Sequence, residues 1–318
     1  MIDPQRTTSP ESNDSGDSLI GETPLAGGVS SDIRIVHAAS GDYVVKRALP
    51  KLRVHADWFS DPARSSIEVN ALRAMSSLLG PSHLPRVLWS DESSHRFAME
   101  LIDARFKNWK QLLLRGIVDN ETARAAGKLL ARLHARSAGD ATLAVQFADN
   151  RTFVELRIRP FFERVAQKNP ELRSVVHRVV EAIHTNRCAL VHGDYSPKNL
   201  LVDGEDVVIL DCEVAHWGDP RFDIAFCVAH LLLKSFRRQA SGTRLRSAAR
   251  VFLMAYQHEG LPVIDDRLAQ QLGCLLLARL EGDSPVDYLD DLDAPAVKAL
   301  GERLIVNPPS RFDIEAVT

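Results

Sequence analysis

The sequence predicts an α+β chain of two lobes, a small β-rich N-terminal lobe followed by a larger, mainly helical one. Two observations carry this expectation. β-Branched runs joined by short turns give way near residue 103 to long segments with apolar residues at helical spacing. A second set of short strands, interrupted by a polar loop, then falls inside the helical half between residues 188 and 211. With 318 residues and 45% hydrophobic composition, the chain can bury a sizeable core, and its length suits one large domain or two lobes.

Residues 1–20, "MIDPQRTTSPESNDSGDSLI", are rich in Ser, Thr, Asp and Pro and poor in core formers, so they are expected to form a disordered tail. "PLAGGVSSDIRIVHAASGDYVVKRA" reads as a glycine-containing loop followed by two antiparallel strands, with Ser40, Gly41 and Asp42 at their turn. The spacing of Ile67, Ala71, Leu72 and Met75 predicts a helix over about 62–79. "FAMELI", Phe97 to Ile102, reads as a buried strand and closes an N-terminal lobe of residues 21–102. The helical lobe spans 103–306. In it, "ETARAAGKLLARLHARS" aligns Ala125, Leu129 and Leu133 on one face. "CALVHGD" and "NLLVDGEDVVILD" are strand-like, with Asp203–Asp206 as a hairpin turn. From Asp223 the pattern is helical again, without a fixed-period repeat, and residues 307–318 read as a loose tail.

The formal charge of −3 and pI near 6.4 provide no general attraction to nucleic acid or an anionic membrane. The longest nearly apolar run, Ile224 to Leu233, is too short to span a bilayer, and the polar N-terminus lacks the pattern of a signal peptide. Four cysteines, Cys188, Cys212, Cys227 and Cys274, form no C-x-x-C pair and sit in apolar contexts typical of reduced, buried thiols. The expected location is the cytoplasm. Cys188 with His192, or Cys212 with His216, lacks the second complete ligand pair that a tetrahedral zinc site requires.

The chemistry concentrates in "LVHGDYSPKNLLVDGEDVVILDCE", residues 190–213, which holds His192, Asp194, Asn199, Asp211 and Glu213. Phosphoryl transfer from a nucleotide needs a carboxylate to orient or deprotonate the attacking hydroxyl, and oxygen ligands for the magnesium ions that bridge the phosphates. "HGDYSPKN" resembles the catalytic loop of the kinase-like fold, with Asp194 in the base position and Asn199 in a metal-ligand position. "ILDCE" resembles the strand and turn that deliver the second metal-binding carboxylate, Asp211. The fuller pattern, through "VAHWGDPRFDIA", resembles the aminoglycoside phosphotransferase and choline kinase superfamily over roughly residues 20–235. Protein kinases commonly carry Arg at the position of Gly193, and Asp-Phe-Gly where this chain has Asp211, Cys212 and Glu213.

The resemblance implies a bilobal, protein-kinase-like fold, ATP and Mg2+ as cofactors, and a small hydroxyl compound as acceptor. It implies that Asp223, in "GDPRFD", braces the catalytic loop; Asp219 is a weaker candidate for that task. His192 is expected to be structural, since Asp194 already fits the base role. In "DYVVKRA", strand alternation puts Val44 and Lys46 on one face, from which Lys46 can reach nucleotide phosphates, with Glu68 on the following helix as the partner that holds it. "LAGGVSSD" resembles the phosphate-covering loop, through Gly27, Gly28, Ser30 and Ser31. "AMELI" resembles the hinge, where main-chain groups from Glu100 to Ile102 hydrogen-bond the adenine. A narrower likeness, over "VVKRALPKLRVHADWFSDPARSSIEVNALRAM", is to 5-methylthioribose kinases, in which both acids of an Asp-x-Glu unit serve the metals; it adds Glu213 as a ligand.

For the acceptor, a sugar or alcohol metabolite is preferred, with an aminoglycoside as the alternative. The run Asp283, Asp287, Asp290, Asp291 and Asp293 is either an attractor for a polycation or a solvated helix start capped by Asp283 or Ser284 before Pro285. Arg157 and Arg159, in "LRIRP", are placed on one side of an extended segment, as anchors for a substrate carboxylate or phosphate or as surface arginines. A nucleotide-binding pseudokinase is the reading of another class, and the intact Asp194, Asn199 and Asp211 argue against it.

Overall fold

The computed structural model describes residues 19–25, 30–53, 58–238, 241–310 and 312–314. The chain divides into two compact units. One comprises residues through Ser65 together with Val87–Ile102; the other comprises Ser66–Arg86 and everything from Asp103 onward.

The first unit is an antiparallel sheet of β1 (Leu19–Pro24), β2 (Ser31–Ala38), β3 (Tyr43–Ala48), β4 (Val87–Asp91) and β5 (Arg96–Glu100), in the order β1-β2-β3-β5-β4. β1 takes in Leu19 and Ile20, which the sequence assigns to the tail. The β2–β3 turn is where Ser40, Gly41 and Asp42 place it: Gly41 adopts φ 124° and donates its N–H to the Ala38 carbonyl at 3.0 Å. Val36, Ala38, Tyr43 and Ala98 form a buried cluster, with Val45 and Trp89 packed against it. Along β3 the side chains of Val44, Lys46 and Ala48 are buried and that of Arg47 is exposed, the period-two alternation of a strand.

α1 (Arg64–Leu79), whose residues from Ser66 on belong to the second unit, buries Ala71, Leu72 and Met75, the stripe seen in the sequence. Then β6 (Lys107–Asn108), α2 (Trp109–Leu114), α3 (Asn120–Ser137) and α4 (Ala141–Gln146) follow. A continuous helical run is made of α5 (Arg151–Phe153), π-helical turns over Val154–Glu163 and α6 (Arg164–Lys168), and α7 (Arg173–Thr185) comes next. The short strands are β7 (Ala189–Val191), β8 (Leu200–Asp203), β9 (Asp206–Ile209) and β10 (His216–Gly218). β6, β8 and β9 form one small sheet, while β7 pairs antiparallel with β10. The helices α8 (Arg221–Ser235), α9 (Gly242–Glu259), α10 (Asp266–Glu281) and α11 (Ala294–Val306) complete the chain. α3 lies close against α9 because Gly127 carries no Cβ; one placed there would collide with the Phe252 carbonyl.

Three local expectations need correction. Arg157 and Arg159 lie on π-helical turns, not on an extended segment; the helical run keeps Arg157 inside and leaves Arg159 exposed. No helix starts at Asp283 or Ser284. The chain bends there, forms one 3-10 turn at Leu289–Asp291, and enters α11 only at Ala294, where Asp293 is the N-cap and accepts from the Ala296 N–H at 3.2 Å. Cys188 is exposed, whereas Cys212, Cys227 and Cys274 are buried; all four are free thiols.

Candidate functional site

β7 is three residues of fully buried Ala-Leu-Val, and its end delivers His192, Gly193 and Asp194 into a loop. Gly193 has φ 76°, and a Cβ there would sit 2.6 Å from the Val214 carbonyl oxygen and 2.8 Å from its Cγ1. An arginine cannot take this place, because both the left-handed backbone and the contact with Val214 demand glycine. The Asp194 N–H donates to His192 Nδ1 at 3.1 Å, so Nε2 carries the ring proton and donates it to the Leu210 carbonyl at 3.0 Å. Both ring nitrogens of His192 are thus engaged in holding backbone.

Asp223, in the first turn of α8 and fully buried, accepts from the His192 N–H at 2.7 Å and the Gly193 N–H at 2.8 Å. His134 of α3 donates to the same carboxylate at 3.2 Å and meets the Tyr256 hydroxyl through its other nitrogen at 3.0 Å. Burial opposes ionisation of Asp223, but hydrogen bonding and charge from His134 together with the His192 contribution more than offset it, and its carboxyl titrates below the ordinary range. Asp219 makes a separate buried network with Arg221 and Gln271 and, among the described residues, no hydrogen bond to the His192–Asn199 loop; burial pushes its carboxyl upward.

Asp194 is held from two sides. Its Oδ2 accepts from Asn199 Nδ2 at 2.7 Å, and Asn199 also donates to the Asp194 carbonyl at 3.0 Å. Its Oδ1 lies 2.8 Å from Nη2 of Arg157, whose Nε donates to the Gly193 carbonyl at 2.9 Å. The Leu210 N–H donates to the Asn199 carbonyl at 2.9 Å, which ties this loop to the end of β9 just before Asp211.

Asp211 adopts φ 65°, a left-handed conformation that a non-glycine residue holds at a cost and that turns the chain sharply after β9. Cys212 is buried, with its sulfur 3.9 Å from Met75 of α1. This packing sets α1 beside the turn, and carboxylate oxygens of Glu68, Asp211 and Glu213 lie within 4.8 Å of one another. Glu68 and Glu213 are buried. Three clustered carboxylates suit a hard divalent cation such as magnesium, which neutralises them and keeps coordination positions for phosphate oxygens. Asn199 uses its amide nitrogen toward Asp194, so its Oδ1 remains as a further oxygen donor. Glu68, which the sequence pairs with Lys46, therefore stands with the two acids of the Asp-x-Glu unit.

Lys46 belongs to the other compact unit. It is 3% exposed, between Ile33 of β2 and Phe97 of β5 in register. Ser31 pairs with Ala48 at the start of β2 and has a buried hydroxyl without a hydrogen-bond partner among the described residues, while the Ser30 carbonyl accepts from the Leu49 N–H at 2.9 Å. Glu100 ends β5 opposite Tyr43, and Ile102 follows in coil. Gly27 and Gly28 lie outside the described residues.

Several charged residues of this unit carry no sequence motif. The buried Arg157 packs its guanidinium 5.6 Å from the ring centres of both Phe161 and Phe226, and Arg279 of α10 lies 5.6 Å from the same Phe161 ring. Lys234 is completely buried in α8, and burial lowers its pKa to about 7. Arg279 is lowered by burial and by the charge of Arg157. Their spacing in sequence, at 157, 234 and 279, holds no signal that they converge. The acidic run is largely compensated by comparison: Asp283 pairs with Arg164 at 3.0 Å, Asp287 with Lys110 at 2.7 Å and Asp291 with Arg237 at 2.7 Å, while Asp293 caps α11.

Among the described residues no helix is long and apolar enough to cross a membrane. The solved structure of amicoumacin kinase hAmiN, in complex with AMP-PNP, Ca2+ and Ami, superposes with a TM-score of 0.58 at 14% identity, covering 98% of this chain and 93% of that one. An aminoglycoside phosphotransferase from Alicyclobacillus acidocaldarius superposes with a TM-score of 0.52 at 15% identity, covering 99% and 96%. Both likenesses concern the fold, a bilobal kinase-like architecture. In sequence, the chain is 27% identical to methylthioribose kinase of Escherichia coli O45:K1 over 232 residues, 64% of this chain and 55% of that protein. The chain spans about half the length of the curated relatives it matches. The profile of the phosphotransferase enzyme family matches residues 21–260 of the 318, a range that takes in the His192–Asn199 loop, the acidic turn and α8, and the chain belongs to that family.

Proposed function

We propose that the protein is an ATP- and magnesium-dependent phosphotransferase that moves the γ-phosphoryl group to a hydroxyl of a small sugar or alcohol metabolite. The observation that carries this reading is the carboxylate cluster of Glu68, Asp211 and Glu213 beside a loop that presents Asp194 between Arg157 and Asn199. Glu68, Asp211, Glu213 and Asn199 are the residues that would hold magnesium, which when bound neutralises charge on the phosphates. Asp194 accepts a hydrogen bond from the acceptor hydroxyl and aims its oxygen for in-line attack. With Arg157 against one of its oxygens and Asn199 against the other, Asp194 is held in place to orient the hydroxyl. Asp223 holds the loop through two backbone N–H groups. Lys46 contacts the nucleotide phosphates, the loop through Gly27, Gly28, Ser30 and Ser31 covers them, and main-chain groups from Glu100 to Ile102 take the base.

The preference for a sugar or alcohol rests on the relatives named methylthioribose kinase, 24–27% identical, and on the ion pairs of the acidic run. Carboxylates already matched by Lys110, Arg164 and Arg237 have little charge left for a polycationic antibiotic. The complete set of Asp194, Asn199 and Asp211 weighs against a pseudokinase, and three buried free thiols fit a reducing, cytoplasmic setting. The test is ADP release by purified protein with magnesium and ATP against panels of pentoses, amino alcohols and aminoglycosides. Asp194→Asn is expected to lower turnover by about 10²–10⁴ fold while nucleotide binding survives. Turnover of aminoglycosides alone would replace the proposed acceptor class, and the lack of any magnesium-dependent nucleotide binding would remove the reading.

A further inference from the structure

Arg157, Arg279 and Lys234 bring more positive charge into the second unit than the proposed chemistry uses. Arg157 commits three N–H groups, to the Gly193 carbonyl at 2.9 Å, the Leu156 carbonyl at 2.6 Å and Asp194 at 2.8 Å. Arg279 commits one, from Nη1 to the Ser284 hydroxyl at 3.0 Å. Its Nε is buried without a hydrogen-bond partner, and Arg279 forms no ion pair among the described residues. The two guanidinium groups lie against the same Phe161 ring, each 5.6 Å from its centre. Lys234 adds a completely buried amine whose hydrogen-bond partners among the described residues are the His230 carbonyl at 3.0 Å and the Tyr288 hydroxyl at 3.5 Å. Among the described residues Asp194 is the carboxylate in direct contact with Arg157, and none touches Arg279 or Lys234.

Arg279 is half-buried, and a guanidinium whose Nε is enclosed without a partner is costly unless something else pairs with it. A planar fork with free N–H groups is also the geometry that recognises a carboxylate or phosphate. We propose that the acceptor carries an anionic group, a carboxylate or phosphate monoester, which Arg279 holds together with Arg157 while a hydroxyl of the same molecule faces Asp194. The inference rests on the phosphotransferase reading and names its substrate class. In the transfer, the acceptor oxygen bonds to the γ-phosphorus, the bond from that phosphorus to the bridging oxygen breaks with its electron pair leaving on ADP, and the hydroxyl proton passes by way of Asp194 to water. Arg279 touches only the anionic group and serves binding.

The experiment compares acceptors that share hydroxyls and differ in charge: ribose, ribonate and ribose 5-phosphate, then glycerol, glycerate and glycerol 3-phosphate. ADP release by the full chain with magnesium and ATP gives KM and kcat for each. An anionic member of a series is expected to show a KM at least about 10-fold below its neutral counterpart, and the carboxylate and phosphate arms identify which anion is read. Arg279→Gln is expected to collapse that ratio, and Arg279→Lys to restore part of it. Calorimetric titration of the same compounds in the presence of magnesium and AMP-PNP reads binding where turnover is slow. Equal or better use of the neutral members, an unchanged ratio in Arg279→Gln, or no binding of any anionic member overturns the inference. If the Arg279 variants do not fold, the neutral-to-anionic comparison on the parent protein decides it. Turnover confined to neutral acceptors leaves the phosphotransferase reading standing, whereas loss of magnesium-dependent AMP-PNP binding in the parent removes that reading as well.

Discussion

Replacing Asp223 by Asn changes one atom of the side chain that holds the His192–Asp194 loop, and its cost follows from the hydrogen bonds. In the parent, both carboxylate oxygens accept from main-chain N–H groups, Gly193 at 2.8 Å and His192 at 2.7 Å. An amide has one acceptor oxygen, so one of these buried N–H groups must face an NH2. His134 can adapt by moving its proton to the other ring nitrogen, beside the Tyr256 hydroxyl, but a backbone amide cannot. A buried donor left unsatisfied costs about 1–3 kcal/mol, and loss of the charge-assisted bond to the second amide brings the expected total to about 2–4 kcal/mol. Asp223→Ala, which orphans both amides and His134, is expected to cost about 3–5 kcal/mol. Urea unfolding of the two variants measures this directly. Since the same bonds aim Asp194, turnover should fall by about 10² fold in Asp223→Asn even where the protein is fully folded. An Asp223→Asn protein within about 0.5 kcal/mol of the parent, with unchanged turnover, would refute the claim that this carboxylate braces the loop.

Further outcomes follow from other residues. Gly193→Ala places a Cβ 2.6 Å from the Val214 carbonyl oxygen at φ 76°, so it should cost at least about 1–2 kcal/mol from the backbone alone and displace Asp194; equal stability by urea unfolding would contradict this. Asp211→Asn and Glu68→Gln should each weaken Mn2+ binding, measured by electron paramagnetic resonance as a stand-in for magnesium, by about 10-fold or more. A Glu68→Gln protein with parental Mn2+ affinity would return Glu68 to a purely lysine-holding role. Burial lowers the pKa of His216 to about 4 and that of His230 well below its ordinary value, so unfolded chains bind protons that the folded protein refuses. That stabilisation is complete above pH 6.5 and is lost as pH falls toward 4, amounting to about 3 kcal/mol for His216. Thermal midpoints between pH 7.5 and 4.5 should therefore decline, and His216→Asn should flatten the decline; an unchanged slope would show that His216 is not the group responsible.

Local patterns in the sequence determined the two-part α+β architecture, because each is written in near neighbours. The Ser40–Asp42 turn, the buried face of β3 and the apolar stripe of α1 depend on residues at most four positions apart, where turn chemistry and side-chain periodicity act directly. The motif of His192, Asp194 and Asn199 is likewise compact, and so is the unit of Asp211 and Glu213. What surrounds those motifs depends on long-range packing. Glu68 is 143 residues before Asp211, and only the fit of α1 against the turn, through Met75 and Cys212, brings their carboxylates together. Arg157 reads as an extended or surface arginine in sequence, because Pro160 and alternating charges hide the π-helical turns that carry its guanidinium to Asp194. The acidic run looks like free charge until Lys110, Arg164 and Arg237 arrive from three other parts of the second unit to neutralise it. Arg279 and Lys234 have no motif at all; only the packed chain buries Lys234 and encloses the Arg279 Nε, a consequence of tertiary packing that no local pattern encodes.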